Sequence, residues 1–396
     1  MVGSIRGSAA RECRSARRSR FGCRNCKLRK VKCGEERPRC QRCISFGVSC
    51  NFMPGVPDLH PVAADEGKAL TTRREPNPQI SVAGAIWTSD ELTSYQVNVK
   101  CQNFITRYLG RSLITPHDST VIQMNRKFLE LALTYPSLMH ASLAVSFTYD
   151  RYLNSPHGSR RSLEECYHRY QSTALLSRRL KGPIAHEEKD AIWGTAAALA
   201  VLACSSPDAS TPEDSWPLKS SSYSDWGWLS LSEGKMSLWH TVNPLRPDSL
   251  FHVMAATFAH MFAPLPETGI DGIHELLVSL CCLDESSSAE SSPYFDAAHA
   301  VSQILNLSDG EVTTGHSQVF PRCIHGPFKD LLRERDPAAL LLLYLWYRKA
   351  SHSIWWIELR YRVEGPSICS YLRLYHQTNA TVQTFLPGGL FADEWT

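Results

Sequence analysis

The sequence predicts a mainly α-helical protein in three parts: a small cysteine-rich head with short helices, a flexible linker and a large all-helical body. Three observations lead there. Six of the fourteen cysteines fall within residues 23–50. Residues 51–86 hold five prolines and little apolar periodicity. From residue 87 onward, apolar residues recur mostly at helical spacing and strand signals are sparse. The boundaries expected are a basic, disordered arm over 1–20, the cysteine head over 21–52, the linker over 53–86 and the helical body over 87–396.

At 396 residues the chain has room for more than one domain, and at 43% hydrophobic and 20% charged most of it can bury a core. The net charge of +3 hides an asymmetry. Residues 1–50 carry fourteen Lys and Arg against three Glu, a net of +11, so the remainder sums to −8. A basic head on an acidic body suits a polyanion-binding end joined to a part with another task. The first twenty residues lack the apolar run of a secretory signal. Their Arg and Ser content imitates a transit peptide, but the basic run continues straight into the cysteines. A reducing compartment is therefore expected, where thiols stay free or bind metal. The longest charge-free apolar run, AIWGTAAALAVLACSS (191–206), is shorter than the roughly 20 residues a membrane span needs and reads as a buried helix.

The head is spaced Cys23-x2-Cys26-x6-Cys33-x6-Cys40-x2-Cys43-x6-Cys50. A shift of seventeen residues maps the first three cysteines onto the last three, so one C-x2-C-x6-C unit is duplicated. Zinc takes four tetrahedral ligands, and the x2 spacing grips one ion from a tight turn. One ion would leave two cysteines spare; two ions need two bridging sulfurs. The pseudo-symmetry points to equivalent members of each half, such as Cys23 and Cys40. Six thiolates around two divalent ions leave a charge of −2, which nearby cations stabilise. A disulfide framework offers no reason for the duplication and conflicts with the expected compartment.

Charge distinguishes the halves. The six residues between Cys26 and Cys33 are KLRKVK, while the equivalent six between Cys43 and Cys50 are ISFGVS. On a helix, Lys27 and Lys30 are three apart, as are Arg29 and Lys32, with Leu28 and Val31 expected to face inward. Cations so placed suit phosphate contact and base-edge readout in the major groove of double-stranded DNA. Arg and Lys prefer guanine O6 and N7, so a G·C-rich target is expected.

The stretch resembles the fungal binuclear zinc cluster, the six-cysteine DNA-binding module of fungal transcription factors. The resemblance rests on all five spacings of the six cysteines, on Cys26-Lys27-Leu28-Arg29-Lys30-Val31-Lys32-Cys33 and on Pro38 before the fourth cysteine. It covers under a tenth of the chain. It implies zinc as cofactor, two ions per chain, with Cys23 and Cys40 bridging. One ion then takes Cys26 and Cys33 as well, the other Cys43 and Cys50. It implies base contact by Arg29 and Lys30 in a CGG-like triplet and phosphate contact by Lys27 and Lys32, with Arg24 beside them in the DNA-binding set. Gly34 departs from the Asp common in the family, which leaves the exact triplet open. The implied function is a nuclear, sequence-specific transcription factor of the RNA polymerase II type. The alternative is a zinc-dependent scaffold that binds acidic proteins or RNA without sequence preference.

Arg11, Arg14, Arg17, Arg18 and Arg20 form an arm suited to phosphate contact or nuclear import, and Cys13 lies outside the repeat. The linker shows no sustained apolar heptad, so pairing through it is not expected; a homodimer would form through the helical body.

In the body, Trp87-Thr88-x-x-Glu91 reads as a capping box opening a helix along Leu92, Tyr95, Val99, Phe104, Ile105 and Tyr108. Further helices are expected near 119–134, 137–153 (along Leu138, Ala141, Val145 and Tyr149), 162–180 and 187–204. Asp336-Pro337 reads as an N-cap with proline at the first helical position, opening AALLLLYLWYRKA (338–350). Ser-rich 205–226 and 284–293 read as loops. LALTYPSLMHASLAVSF (131–147), WGWLSLSEGKMSLW (226–239) and DPAALLLLYLWYRKASHSIWW (336–356) resemble, diffusely, the helical regulatory region of sterol-uptake-type zinc-cluster factors. That likeness implies a domain sensing a small apolar ligand such as a sterol. No enzyme is expected: the chain lacks G-x-S-x-G, a phosphate loop and H-E-x-x-H. Cys281 and Cys282 read as buried inert thiols, and Trp355 and Trp356 as core.

Overall fold

The computed structural model describes residues 21–29, 31–46, 48, 50–54, 86–88, 94–96, 127–128, 130–154, 161–207 and 209–390. The chain forms two compact units, Met1–Ile80 and Ser81–Thr396.

The first unit contains α1 (Arg24–Leu28) and α2 (Gln41–Phe46), seventeen residues apart at their starts as the duplication requires. The second opens on a small antiparallel hairpin of β1 (Ile86–Thr88) and β2 (Ser94–Gln96), with Trp87 in register with Tyr95. This corrects the helix expected from Trp87 to Tyr95. Ile, Trp, Thr and Tyr favour extended backbone. Local capping signals lose to that pairing. Val99, Phe104, Ile105 and Tyr108 lie outside the described residues.

The other expected helices form where residues are described; of the helix expected near 119–134, residues 119–126 and 129 lie outside the described residues. Residues 127–128 and 130–134 are helical, with Phe128 and Ala132 buried. They lead into α3 (Pro136–Asn154), where Leu138, Ala141 and Val145 are buried and Tyr149 packs half-buried against the core. In α4 (Leu163–Arg179), the Ser162 hydroxyl accepts from the Glu165 amide at 3.1 Å, satisfying one N-terminal donor of the first turn. The apolar run at 191–206 falls mostly within α5 (Lys189–Cys204), a core helix packed on α3. No helix among the described residues is long and apolar enough to cross a membrane.

Beyond α5, the described residues of the Ser-rich run expected as a loop over 205–226 hold turns as far as 222, but Tyr223–Trp226 is a 3-10 helix; the Trp216 ring meets that of Trp226 edge-on at 4.9 Å. Then come α6 (Gly227–Ser237), α7 (Ala255–Met261), α8 (Phe295–Leu305) and the single-turn α9 (Thr314–Ser317). Two long helices close the domain, α10 (Pro337–Ser351) and α11 (Trp355–Tyr375), and they pack on each other. Every residue of α10 from Ala338 to Ser351 is buried, which explains the absence of a polar face over 338–347. The second Ser-rich run, 284–293, is a loop as expected.

The Asp336 cap forms as its sequence predicts: its carboxylate accepts from the amides of Ala338 (3.0 Å) and Ala339 (2.9 Å). Asp336→Ala is expected to cost about 1 kcal/mol of body stability, read as a lower urea midpoint with an unchanged slope. Trp355 and Trp356 are core, as expected. The two adjacent thiols differ from expectation. Cys281 is buried and its thiol pushed up to about 12 by that burial, but Cys282 is exposed, in left-handed backbone at φ 52° just past a helix end.

Candidate metal centre and nucleic-acid interface

All six head cysteines are 4% exposed or less, and with Val48 they are the buried apolar core of the head among the described residues. A head of about 30 residues has too little apolar surface to fold on hydrophobic burial alone. Its interior is sulfur instead.

The duplication is visible bond by bond. The Cys23 amide donates to Cys33 Sγ at 3.4 Å, and seventeen residues later the Cys40 amide donates to Cys50 Sγ at 3.4 Å. Lys27 donates to the Cys23 carbonyl (3.1 Å) as Ile44 does to that of Cys40 (3.2 Å). Val31 donates to the Cys26 carbonyl (3.1 Å) as Val48 does to that of Cys43 (3.0 Å). The halves meet at the sulfurs. Cys23 Sγ lies 3.8 Å from Cys40 Sγ and 3.5 Å from Cys43 Sγ, and Cys26 Sγ lies 3.7 Å from Cys40 Sγ.

These distances exclude disulfides, which need about 2.05 Å. They match the edge of a zinc tetrahedron: ligands about 2.3 Å from the ion stand about 3.8 Å apart. The sulfurs of Cys23, Cys26, Cys40 and Cys43 all lie within 4.8 Å of one another. Cys23 and Cys40 are the two whose sulfurs touch each other as well as the opposite half. Burial pushes the thiols of Cys23, Cys40 and Cys43 well up. At Cys33 and Cys50 burial works the same way, but donated amides outweigh it and hold both below the usual thiol range. Six buried sulfurs, four of them within 4.8 Å of one another and with amides aimed at Cys23, Cys33 and Cys50, suit a cation and little else. The head binds two zinc ions.

The side chains assigned to DNA fall into two groups. Arg24, Lys27 and Lys32 are exposed. Arg29 is half-buried: its guanidinium donates to the Arg42 carbonyl across the duplication at 3.0 Å and lies 3.6 Å from Cys26 Sγ. Lys30 lies outside the described residues, as do the Arg11–Arg20 arm and Cys13. Leu28 and Val31 correct an expectation. They are 50% and 44% exposed, because α1 ends at Leu28 and turns Asn25 and Cys26 inward to the metal centre. Three contacts had no sequence signal. The Asn51 side chain accepts from the Asn25 amide (2.9 Å), Glu36 accepts from the Gln41 amide at the start of α2 (3.1 Å), and Arg37 stacks over Phe52 at 5.0 Å. All three tie residues of one half, or the segment joining the halves, to the other half, and pairings set by the tertiary fold leave no spacing to read.

Comparison with known proteins agrees with this geometry. The model of the fungal Zn(2)-Cys(6) binuclear cluster domain matches residues 21–56. A Zn(2)-C6 fungal-type transcription factor of Gibberella zeae is 22% identical over 416 residues, covering 87% of this chain and 80% of the relative. The Zn(2)-C6 fungal-type transcription factor afumD of Aspergillus fumigatus is 23% identical over 342 residues, 82% of this chain and 83% of its own. The aspercryptin biosynthesis cluster-specific transcription regulator atnN of Emericella nidulans is 59% identical over 34 residues, 9% of this chain and 6% of the relative.

Proposed function

Because the chain is a zinc-binding, DNA-binding transcription regulator of the fungal Zn(2)-Cys(6) binuclear cluster class and not an enzyme, we propose that its head reads a short CGG-like triplet. The single observation that carries this is the pairing of a buried six-sulfur centre with exposed Lys27 and Lys32 between the second and third cysteines, where the equivalent stretch of the other half holds no cation. In this reading the head is 21–52, 53–86 is a linker and 87–396 is the regulatory body. Cys23 and Cys40 bridge; Cys26 with Cys33, and Cys43 with Cys50, complete the two tetrahedra. The first zinc turn presents Lys30 to guanine O6 and N7, and Arg24, Lys27 and Lys32 hold phosphates on either side. Arg29 contributes a base contact through the donors its link to Arg42 leaves over. That link also braces the two halves and offsets the negative sulfur centre.

The protein acts in the nucleus on genes read by RNA polymerase II, and a small apolar ligand in the helical body sets its activity. A homodimer forms, where it forms, through that body.

Two variants divide the labour. Lys30→Ala is expected to cost about 1–3 kcal/mol on the preferred duplex and to relax its sequence preference. Lys27→Ala is expected to weaken all duplexes alike and to lower the slope of log affinity against log salt by about 1. Titrating labelled duplexes at several salt concentrations reads both. Equal loss of preference in the two variants contradicts the assignment.

A further inference from the structure

A cavity of about 120 Å³ sits in the helical body, walled by α5, α6, α7 and α9 and closed by aromatic residues of α10 and α11. Its chemistry is lopsided. Trp193, Trp228, Phe251, Phe258, Trp346 and Trp356 give it flat apolar walls. Ala197 and Ala200, small residues on the same face of α5 as Trp193, leave the space open. Gly315 lets α9 close one side, since a Cβ there would stand 2.3 Å from the Thr257 carbonyl of α7.

One cation enters this space. Lys235 follows Trp228 and Ser232 at i+7 and i+3 on the cavity face of α6, and its ammonium stands 5.5 Å from the Trp193 ring. Among the described residues no carboxylate lines the cavity. The nearest acidic neighbour in sequence, Glu233, is exposed and turned to Lys329 at 3.9 Å. Lys235 is half-buried, and its setting among the rings lowers its ammonium to about 8. Charge set against apolar walls without a carboxylate is costly, and an anion would relieve that cost.

We propose that this cavity binds a small carboxylic acid with a single ring or a short acyl chain, its apolar part between the tryptophans and its carboxylate on Lys235. This rests on the proposal that a ligand controls the body, and it narrows the ligand class. A cavity of about 150 Å³ holds one benzene ring, while ligands of drug size occupy roughly 300–1,000 Å³. The space as it stands therefore fits one ring and not a four-ring sterol.

The test uses the full-length zinc-loaded chain and tryptophan fluorescence quenching, with thermal unfolding as a second readout. The probes are benzoate, phenylacetate and hexanoate, each against its primary amide, with ergosterol as a large neutral probe. At least one acid is expected to bind ten or more times more tightly than its amide. Lys235→Met is expected to abolish that preference while leaving amide binding unchanged, Lys235→Arg to keep it, and Ala200→Leu to remove binding of both. An amide binding as tightly as its acid, or Lys235→Met keeping the preference, overturns the proposal. Ergosterol binding in place of the acids also overturns it, but leaves ligand control standing. If no probe binds and Ala200→Leu leaves reporter transcription unchanged, ligand control through this cavity falls with it.

Discussion

Cys40→Ser is expected to leave less than one zinc ion per chain and to abolish DNA binding, while Cys50→Ser retains at least one ion. The difference follows from topology. In the proposed ligand sharing, Cys50 completes one tetrahedron, so its loss leaves the other with four thiolates. Cys40 stands in contact with both Cys23 and Cys26; as the proposed bridge it would serve both ions, so its loss would leave each with three and disconnect the halves. Structural zinc supplies on the order of 10 kcal/mol of folding free energy, more than a unit of this size has to spare. Among the described residues, the remaining buried apolar side chain, Val48, does not replace it. The helical body, a separate compact unit, keeps its far-ultraviolet circular dichroism in both variants. Zinc content by atomic emission, alongside duplex binding, reads the result. Equal zinc loss in the two variants contradicts Cys40 as a bridge.

The second large effect is expected inside the body. Arg360 and Glu364 on α11 are 4% and 7% exposed and form an ion pair. The Arg360 guanidinium also donates to the carbonyls of Cys204 (2.7 Å) and Ala203 (3.0 Å), satisfying the end of α5. On the other side the Tyr347 hydroxyl donates to Glu364 at 2.6 Å, which brings in α10. Three core helices therefore share one charged junction. Arg360→Met keeps much of the volume but leaves a buried carboxylate with one donor and removes the guanidinium donor from the Cys204 carbonyl. The expected loss is about 3–5 kcal/mol. Its pH dependence has a definite sign. Burial raises the Glu364 carboxyl in the folded protein, and Arg360 opposes that rise. Without Arg360 the folded value climbs further. A group whose folded pKa lies above its unfolded value contributes stability that is lost as pH rises through the folded value. The deficit of Arg360→Met is therefore expected to widen from pH 5 to pH 8, and Glu364→Gln in the same chain to recover part of it. Urea unfolding at both pH values checks this; a loss below about 1 kcal/mol at pH 8 contradicts the account.

What could be read from the sequence was what local chemistry constrains. Ligand spacing is such a constraint, so the cysteine head and its duplication were readable before any coordinates. Caps are another: Asp336 starts its helix where composition places it. Two misreadings share a cause. Leu28 and Val31 look inward on an apolar pattern, but the interior of this head is sulfur. Trp87 and Glu91 resemble a cap, but Trp87 finds a strand partner in Tyr95. In both cases a non-local partner outcompeted the local signal. The cavity around Lys235 needs α5, α6, α7 and α9 together, and only the spacing of Trp228, Ser232 and Lys235 hints at it.

The most direct test of the central claim is selection of duplexes from a random pool by the full-length chain, with zinc and with a chelator. The account predicts zinc-dependent enrichment of a CGG-like triplet, with the copy number and spacing of that triplet reporting a single head or a pair. Zinc-dependent binding that enriches no sequence would contradict it and leave the head a general polyanion binder.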